Sequence, residues 1–209
     1  MTLYPVFLKL EHRKVLIVGG GAIADQKLEG VLRSATDVTV IAPHLNDRIA
    51  CWATEGRIRH VAQEYQSGMA QGYFLVIAAT DSAEVNHLVY SEAKQAGALG
   101  NAVDDPPYCD FYASALVSRG DFQIAISTAG HSPALAQRVR KKLEIEYGPE
   151  YEDWITWLGR MRSALRSVLP RTERRRELLH LLAMLRPAGS RQHQIYSGDQ
   201  HGPFAADRT

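Results

Sequence analysis

Three stretches of this 209-residue chain combine residue types and spacings that could do chemistry. The first is Gly19-Gly20-Gly21-Ala22-Ile23-Ala24, in which Gly19, Gly21 and Ala24 fit the spacing G-x-G-x-x-G/A. In that spacing the first glycine makes a tight turn, and the second lets a pyrophosphate approach the backbone. The third small residue lets a helix pack closely on a sheet. A helix opening near Ala22 would turn its free N–H groups and positive dipole end toward the phosphates. The second stretch is Asn101-Ala102-Val103-Asp104-Asp105, where a carboxylate follows an apolar run and becomes a candidate general base. The third is Thr128-Ala129-Gly130-His131-Ser132-Pro133, which sets a hydroxyl and an imidazole just before a helix start.

The glycine stretch needs a strand before it and a helix after it. Val15–Val18 reads as a buried parallel strand, and Ala22–Arg33 as a helix with Ile23, Leu28, Val31 and Leu32 on one face. Asp37–Ala42 supplies the next strand and completes a βαβ unit. Asn46 or Asp47 caps a short helix through Trp52, and Arg57–Val61 is a weak strand. Gly72–Ala79 is a second strong buried strand. Ser82 caps a helix with Val85, Leu88, Val89 and Ala93 at helical spacing. Leu99–Val103 then places Asp104 at a C-terminal strand end, where ligands of open α/β sheets sit, with Asp105 beside it. Before the glycine unit, Pro5 to Leu8 is apolar enough to cover a sheet edge.

The pattern changes after Pro107. Ala115–Val117 and Phe122–Ile126 read as a hairpin around Arg119-Gly120-Asp121. Ser132-Pro133 opens a helix to about Tyr147 with Leu135, Val139 and Leu143 inward. A basic helical stretch follows, with Trp154, Trp157, Met161, Leu165 and Val168 on one face. The expected fold class is α/β: an N-terminal Rossmann domain with a parallel sheet over residues 1–113, a small α+β dimerisation segment over 114–147 and a helical domain over 148–186. Residues 187–209 are expected to be disordered.

Composition narrows the classes. Cys51 and Cys109 have neither disulfide-scaffold nor zinc-ligand spacing, so no metal site is expected. No basic leader or long apolar run appears, which predicts a cytoplasmic protein with no membrane partner. The net charge of +1 divides into −4 over residues 1–113 and +5 over 114–186, so the second half is suited to an anion. Arg119, Arg138 and Lys142 are candidate carboxylate partners there. The strand ending Ile41-Ala42-Pro43-His44 lacks the usual ribose-binding acid, so these residues do not decide NAD against NADP.

Several motifs coincide in order: Pro5-Val6-Phe7-Leu8, the glycine loop, Val76-Ile77-Ala78-Ala79-Thr80-Asp81, Asn101-Ala102-Val103-Asp104 and Ile126–Pro133. Together, over about residues 3–186, they resemble the precorrin-2 dehydrogenase/sirohydrochlorin ferrochelatase family, which includes the N-terminal module of siroheme synthase. The resemblance implies NAD as cofactor, precorrin-2 as tetrapyrrole substrate, sirohydrochlorin as product and a homodimer. Some members of the family also insert Fe²⁺, and these motifs do not say whether this chain does. The resemblance selects Asp104 over Asp105 as the catalytic base. It implies cofactor contacts at Gly19, Gly21, Ala22, Ile23, Pro43, His44, Thr80, Asn101 and Val103, and substrate contacts at Thr128 and His131. Many relatives carry serine where this chain has Thr128. Two other readings compete: a Rossmann oxidoreductase with another substrate, and a non-catalytic dimeric NAD(H) sensor whose basic half meets a partner. The basic half shows no clear helix-turn-helix, so no nucleic-acid partner is expected.

Overall fold

The fold is taken from a computed structural model that describes residues 3–170, 172–185 and 187. The chain divides into two compact units, residues 1–113 and 114–209.

The first unit is built on a parallel five-stranded sheet. Its strands are β1 (Lys14–Val18), β2 (Asp37–Ile41), β3 (Arg59–Val61), β4 (Leu75–Ala78) and β5 (Leu99–Ala102), in the order β3-β2-β1-β4-β5. Helices α1 (Ala22–Val31), α2 (Asp47–Thr54) and α3 (Ala83–Gln95) connect them. The central strands β1 and β4 are apolar on both faces because both faces are covered. Val15 and Ile17 pack with Ala24 and Leu28 of α1 and Ile49 of α2. Leu16 and Val18 point the other way, to Val89 and Ala93 of α3. This alternation follows from the period of 2 along a strand. Leu16, Ile17 and Leu28 are fully buried, each contributing about 1.5–3 kcal/mol of hydrophobic stabilisation.

Connections leave the central strand β1 toward β2 and re-enter through β4 on its other side, which opens a crevice at the C-terminal ends of β1 and β4. The Asn46 side chain caps α2 by accepting from Ile49 N–H at 2.9 Å, and Ser82 caps α3 through Val85 N–H at 3.3 Å. Gly97 ends the α3 connection at φ +75°.

Several expectations fail in detail. Ile23 is 47% exposed and Leu88 43%, so neither joins the core that its helical spacing suggested. The segment around Val6 and Phe7 covers no edge. Both side chains are exposed, and Leu10 is the buried residue of that lead-in.

The second unit contains a two-stranded antiparallel sheet, β6 (Ala115–Arg119) and β7 (Phe122–Ile126), joined through Gly120 at φ +57°. Helices α4 (Pro133–Glu146), α5 (Glu150–Val168) and α6 (Glu173–Met184) follow. Val117 and Ala136 are its buried hydrophobic residues among those described. Leu135 is exposed, as is Val168, because α4 turns Ala136 inward and no described residue covers the end of α5. Arg119 does not stand free for a ligand. Its guanidinium donates to Tyr147 O at 2.9 Å and Glu144 O at 3.1 Å, filling acceptors that the end of α4 leaves open. The expected disordered tail lies outside the described residues, apart from Pro187.

Candidate active site

The C-terminal edge of the parallel sheet carries two features. The first is a groove of about 690 Å³ formed by the segments that follow β1, β2, β3 and β4. Gly19, Gly21, Ala22, Ile23, Pro43, His44 and Thr80 all line it.

The three glycines are needed for different reasons. Gly19 sits at φ +124°, and a Cβ there would lie 2.3 Å from Ala79 O. A Cβ on Gly20 would lie 1.9 Å from His44 O, and the Gly20 carbonyl accepts Asn46 N–H at 2.9 Å. Gly21 differs: its φ of −89° suits any residue, and a Cβ there would meet nothing within 4 Å. No neighbour in the chain requires a glycine at this position, which lies in the groove wall where α1 begins. That open space fits the close approach of a dinucleotide pyrophosphate.

Gly21 is also the N-cap of α1 and makes no side-chain cap, so the first N–H groups of the helix have no partner of that kind. The acid of the first turn, Asp25, does not oppose an anion there. Its carboxylate accepts from Asn46 Nδ2 at 3.3 Å and pairs with Arg48 at 3.3 Å. On the β4 side, Asn86 is buried and fixes the turn. Its amide oxygen accepts from Thr80 N–H at 3.1 Å and from the Thr80 hydroxyl at 2.8 Å, while its amide nitrogen donates to Thr80 O at 3.0 Å.

The second feature is the segment after β5. Asp110 accepts Gly100 N–H at 2.9 Å and the Tyr90 hydroxyl at 3.0 Å. Asn101 donates to Phe111 O at 2.7 Å and to Cys109 Sγ at 3.2 Å, so its amide holds the returning chain and does not line the groove. Val103 is likewise outside the groove, with its N–H on Ala78 O at 2.9 Å. Asp105 pairs with His87 at 2.6 Å, and the His87 ring stacks on Tyr108 at 3.8 Å. Burial pushes the Cys109 thiol pKa up, which keeps it a neutral packing group. Asp104 stands apart. It is exposed, makes no hydrogen bond or ion pair among the described residues, and has φ +62°. A non-glycine residue in the left-handed region is uncommon, and such positions cluster at functional sites.

In the second unit, the loop before α4 is closed on itself. Thr128 O accepts His131 N–H at 2.9 Å, and the Thr128 hydroxyl accepts Ser132 N–H at 3.1 Å. Ala129 and Gly130 both have positive φ, and the His131 side chain is exposed.

Comparison with known proteins agrees with this geometry. Residues 6–115 match a family described as "Putative NAD(P)-binding", and residues 119–144 match "Sirohaem biosynthesis protein central". A solved structure of SirC, precorrin-2 dehydrogenase, superposes with a TM-score of 0.74 at 30% identity, covering 86% of this chain and 89% of that one. The chain belongs to the precorrin-2 dehydrogenase family. Siroheme synthase 1 of Aeromonas salmonicida is 41% identical over 144 residues, covering 69% of this chain and 31% of the relative. Siroheme synthase 1 of Aeromonas hydrophila is 35% identical over 176 residues, 84% of this chain and 38% of the relative. The chain thus spans about a third of the length of these curated relatives.

For this family member, the sequence reading named residues on the β1, β2 and β4 sides of the groove and none on the β3 side. Glu64, Tyr65, Asp81, Ser82 and Val85 also line it. Glu64 and Tyr65 follow β3, whose parallel pairing with β2 sets them beside Pro43 and His44. The weak strand expected over Arg57–Val61 is present as β3, but its local pattern did not show that it pairs with β2 and brings Glu64 to the groove. No described helix is long and apolar enough to cross a membrane.

Proposed function

We propose that this chain catalyses the NAD-dependent oxidation of precorrin-2 to sirohydrochlorin, with Asp104 as general base. The observation that carries the reading is the freedom of Asp104. Of the carboxylates after β5, Asp105 is held by His87 and Asp110 by Tyr90 and Gly100, while Asp104 is exposed and unpaired on the same sheet edge as the groove.

NAD⁺ supplies a two-electron hydride acceptor. Gly21 and the opening of α1 would hold its pyrophosphate, Pro43 and His44 would meet its adenosine end, and Thr80 would shape the opposite wall. Asp104 takes the proton that leaves with the hydride. The left-handed backbone at Asp104 fixes where that carboxylate starts from, and a fixed position is what a base needs before its pKa matters. Thr128 and His131 are assigned to substrate binding on the family resemblance. Asn101 acts in this reading by anchoring the segment behind Asp104, since its amide is already engaged.

The test is anaerobic incubation with precorrin-2 and NAD⁺, following the absorbance change to sirohydrochlorin, then addition of Fe²⁺ to ask for chelation. NAD⁺ binding without turnover would favour the sensor reading instead. A cytoplasmic homodimer belongs to the same proposal. Its support is the second unit, where Val117 and Ala136 are buried but Leu135 and Ile145 of α4 are exposed. A two-stranded hairpin is marginal by itself, and a second copy would supply the missing cover. Light scattering at micromolar concentration should give a dimer mass, and a monomer would count against it.

A further inference from the structure

The groove contains a carboxylate that the fingerprint does not predict. In dinucleotide-binding folds an acid at the end of the second strand accepts hydrogen bonds from the adenosine ribose. Here that strand ends Ile41-Ala42-Pro43-His44 and offers none. Glu64 follows the neighbouring strand β3, lines the same groove as Pro43 and His44, and makes no hydrogen bond or ion pair among the described residues. We propose that Glu64 replaces the missing strand-end acid: it accepts the ribose hydroxyls of NAD⁺ and rejects the 2′-phosphate of NADP⁺.

The support is positional and electrostatic. The two strand ends are tied together: Ala42 N–H donates to Val61 O at 3.2 Å, and the His60 ring bonds Ala42 O at 2.9 Å. The Glu64 segment is then pinned from both sides. Gln63 N–H donates to Val61 O at 2.9 Å, and the Tyr65 hydroxyl donates to Glu92 of α3 at 2.5 Å. The Glu64 carboxylate therefore hangs from a fixed backbone, which a selective contact requires. Charge favours the same answer. Among the described residues, Glu64 and Asp81 are the acids lining the groove, and no lysine or arginine lines it to receive a 2′-phosphate. Asp81 follows β4, across β1 from β2, and so belongs to the other half of the crevice.

The inference rests on the dehydrogenase reading, and calorimetry of the full chain with NAD⁺ and NADP⁺ separates the two. The wild-type protein should bind NAD⁺ at least tenfold more tightly than NADP⁺. Glu64→Gln should lose about tenfold in NAD⁺ affinity, as expected for one charge-assisted hydrogen bond, and should bind NADP⁺ no worse, so the ratio collapses. Asp81→Asn should keep the wild-type ratio. Wild-type protein that binds neither dinucleotide would overturn the dehydrogenase reading itself. NAD⁺ binding with an unchanged ratio in folded Glu64→Gln, or a ratio that collapses in Asp81→Asn instead, would overturn the role of Glu64 alone.

Discussion

The two features on the sheet edge are built in opposite ways. The phosphate end of the groove is built on backbone, from three glycines and the start of α1, with Gly21 facing open space. The segment after β5 is held by side chains bonded to backbone and to one another, with Asp104 left over. A dinucleotide phosphate needs fixed N–H groups and no side chain in its way. Proton transfer needs one free carboxylate that does not drift. Locking every neighbour of Asp104 while leaving it unpaired satisfies that second need.

Asp104→Asn should test the contrast hardest. The amide keeps the shape and cannot take a proton usefully at neutral pH. Oxidation should fall by about 10²–10⁴ while NAD⁺ still binds. Asp105→Asn should stay within about tenfold of wild type, because Asp105 is tied to His87 and acts through structure. If the two variants exchange these outcomes, the base lies one residue further along. Near-normal oxidation by both removes aspartate from the mechanism.

The glycine loop should fail in two distinguishable ways. Gly21→Asp places a charge in the open space and should cost about tenfold or more in NAD⁺ affinity with the fold retained. Gly20→Ala has no such space, since its Cβ would meet His44 O at 1.9 Å, and should lose about 1–3 kcal/mol of stability. Calorimetry with thermal unfolding separates affinity from stability. A Gly21→Asp variant with unchanged affinity would remove the cofactor from this loop.

Side-chain locking at the β5 end predicts a smaller effect. Asp110→Ala leaves Gly100 N–H and the Tyr90 hydroxyl without their acceptor and should cost about 1–3 kcal/mol in denaturant unfolding. A loss that small should leave NAD⁺ affinity untouched, because the groove does not include this segment.

What the sequence made legible follows the same division. Strands buried on both faces announce themselves as apolar runs, so Val15–Val18 and Leu75–Ala78 were readable, and the glycine spacing fixed the crevice beside them. Seven of the nine expected cofactor contacts line the groove. Asn101 and Val103 do not, because a motif cannot show that an amide is already engaged by Phe111 O. Glu64 was invisible for a different reason: it reaches the groove through the pairing of a three-residue strand, a long-range fact with almost no local pattern. In the second unit, spacing marked Leu135 as inward and set Val168 on one face with Trp154 and Trp157, yet Leu135 and Val168 are both exposed. Helical periodicity reports which residues share a face. It does not report whether this chain or another covers that face.

The smallest expected effect concerns the tie that pins the wall of the groove beside Glu64. Glu92 accepts from the Ser67 hydroxyl, from the Tyr65 hydroxyl at 2.5 Å and from Gly68 N–H at 2.8 Å. Burial would raise the pKa of this carboxyl, but those donors outweigh it and hold the group below its ordinary 4.5. The folded value is therefore the lower one. The stabilisation is fully present above the unfolded value and is lost as pH falls through the folded one. Burial, followed by the bond to Glu92, raises the Tyr65 pKa above its ordinary 10.0. Its contribution is present below 10 and is lost as pH rises past it. The tie should thus be level from about pH 5 to 9 and weaken in acid below 4.5. Exchange of the Gly68 amide, corrected for its intrinsic pH dependence, should speed up in acid by less than about tenfold, the scale of one net hydrogen bond. In Glu92→Gln, position 92 no longer titrates, so that acid step should vanish while the amide oxygen still accepts from Gly68. An identical acid step in Glu92→Gln would mean that another carboxylate controls the segment.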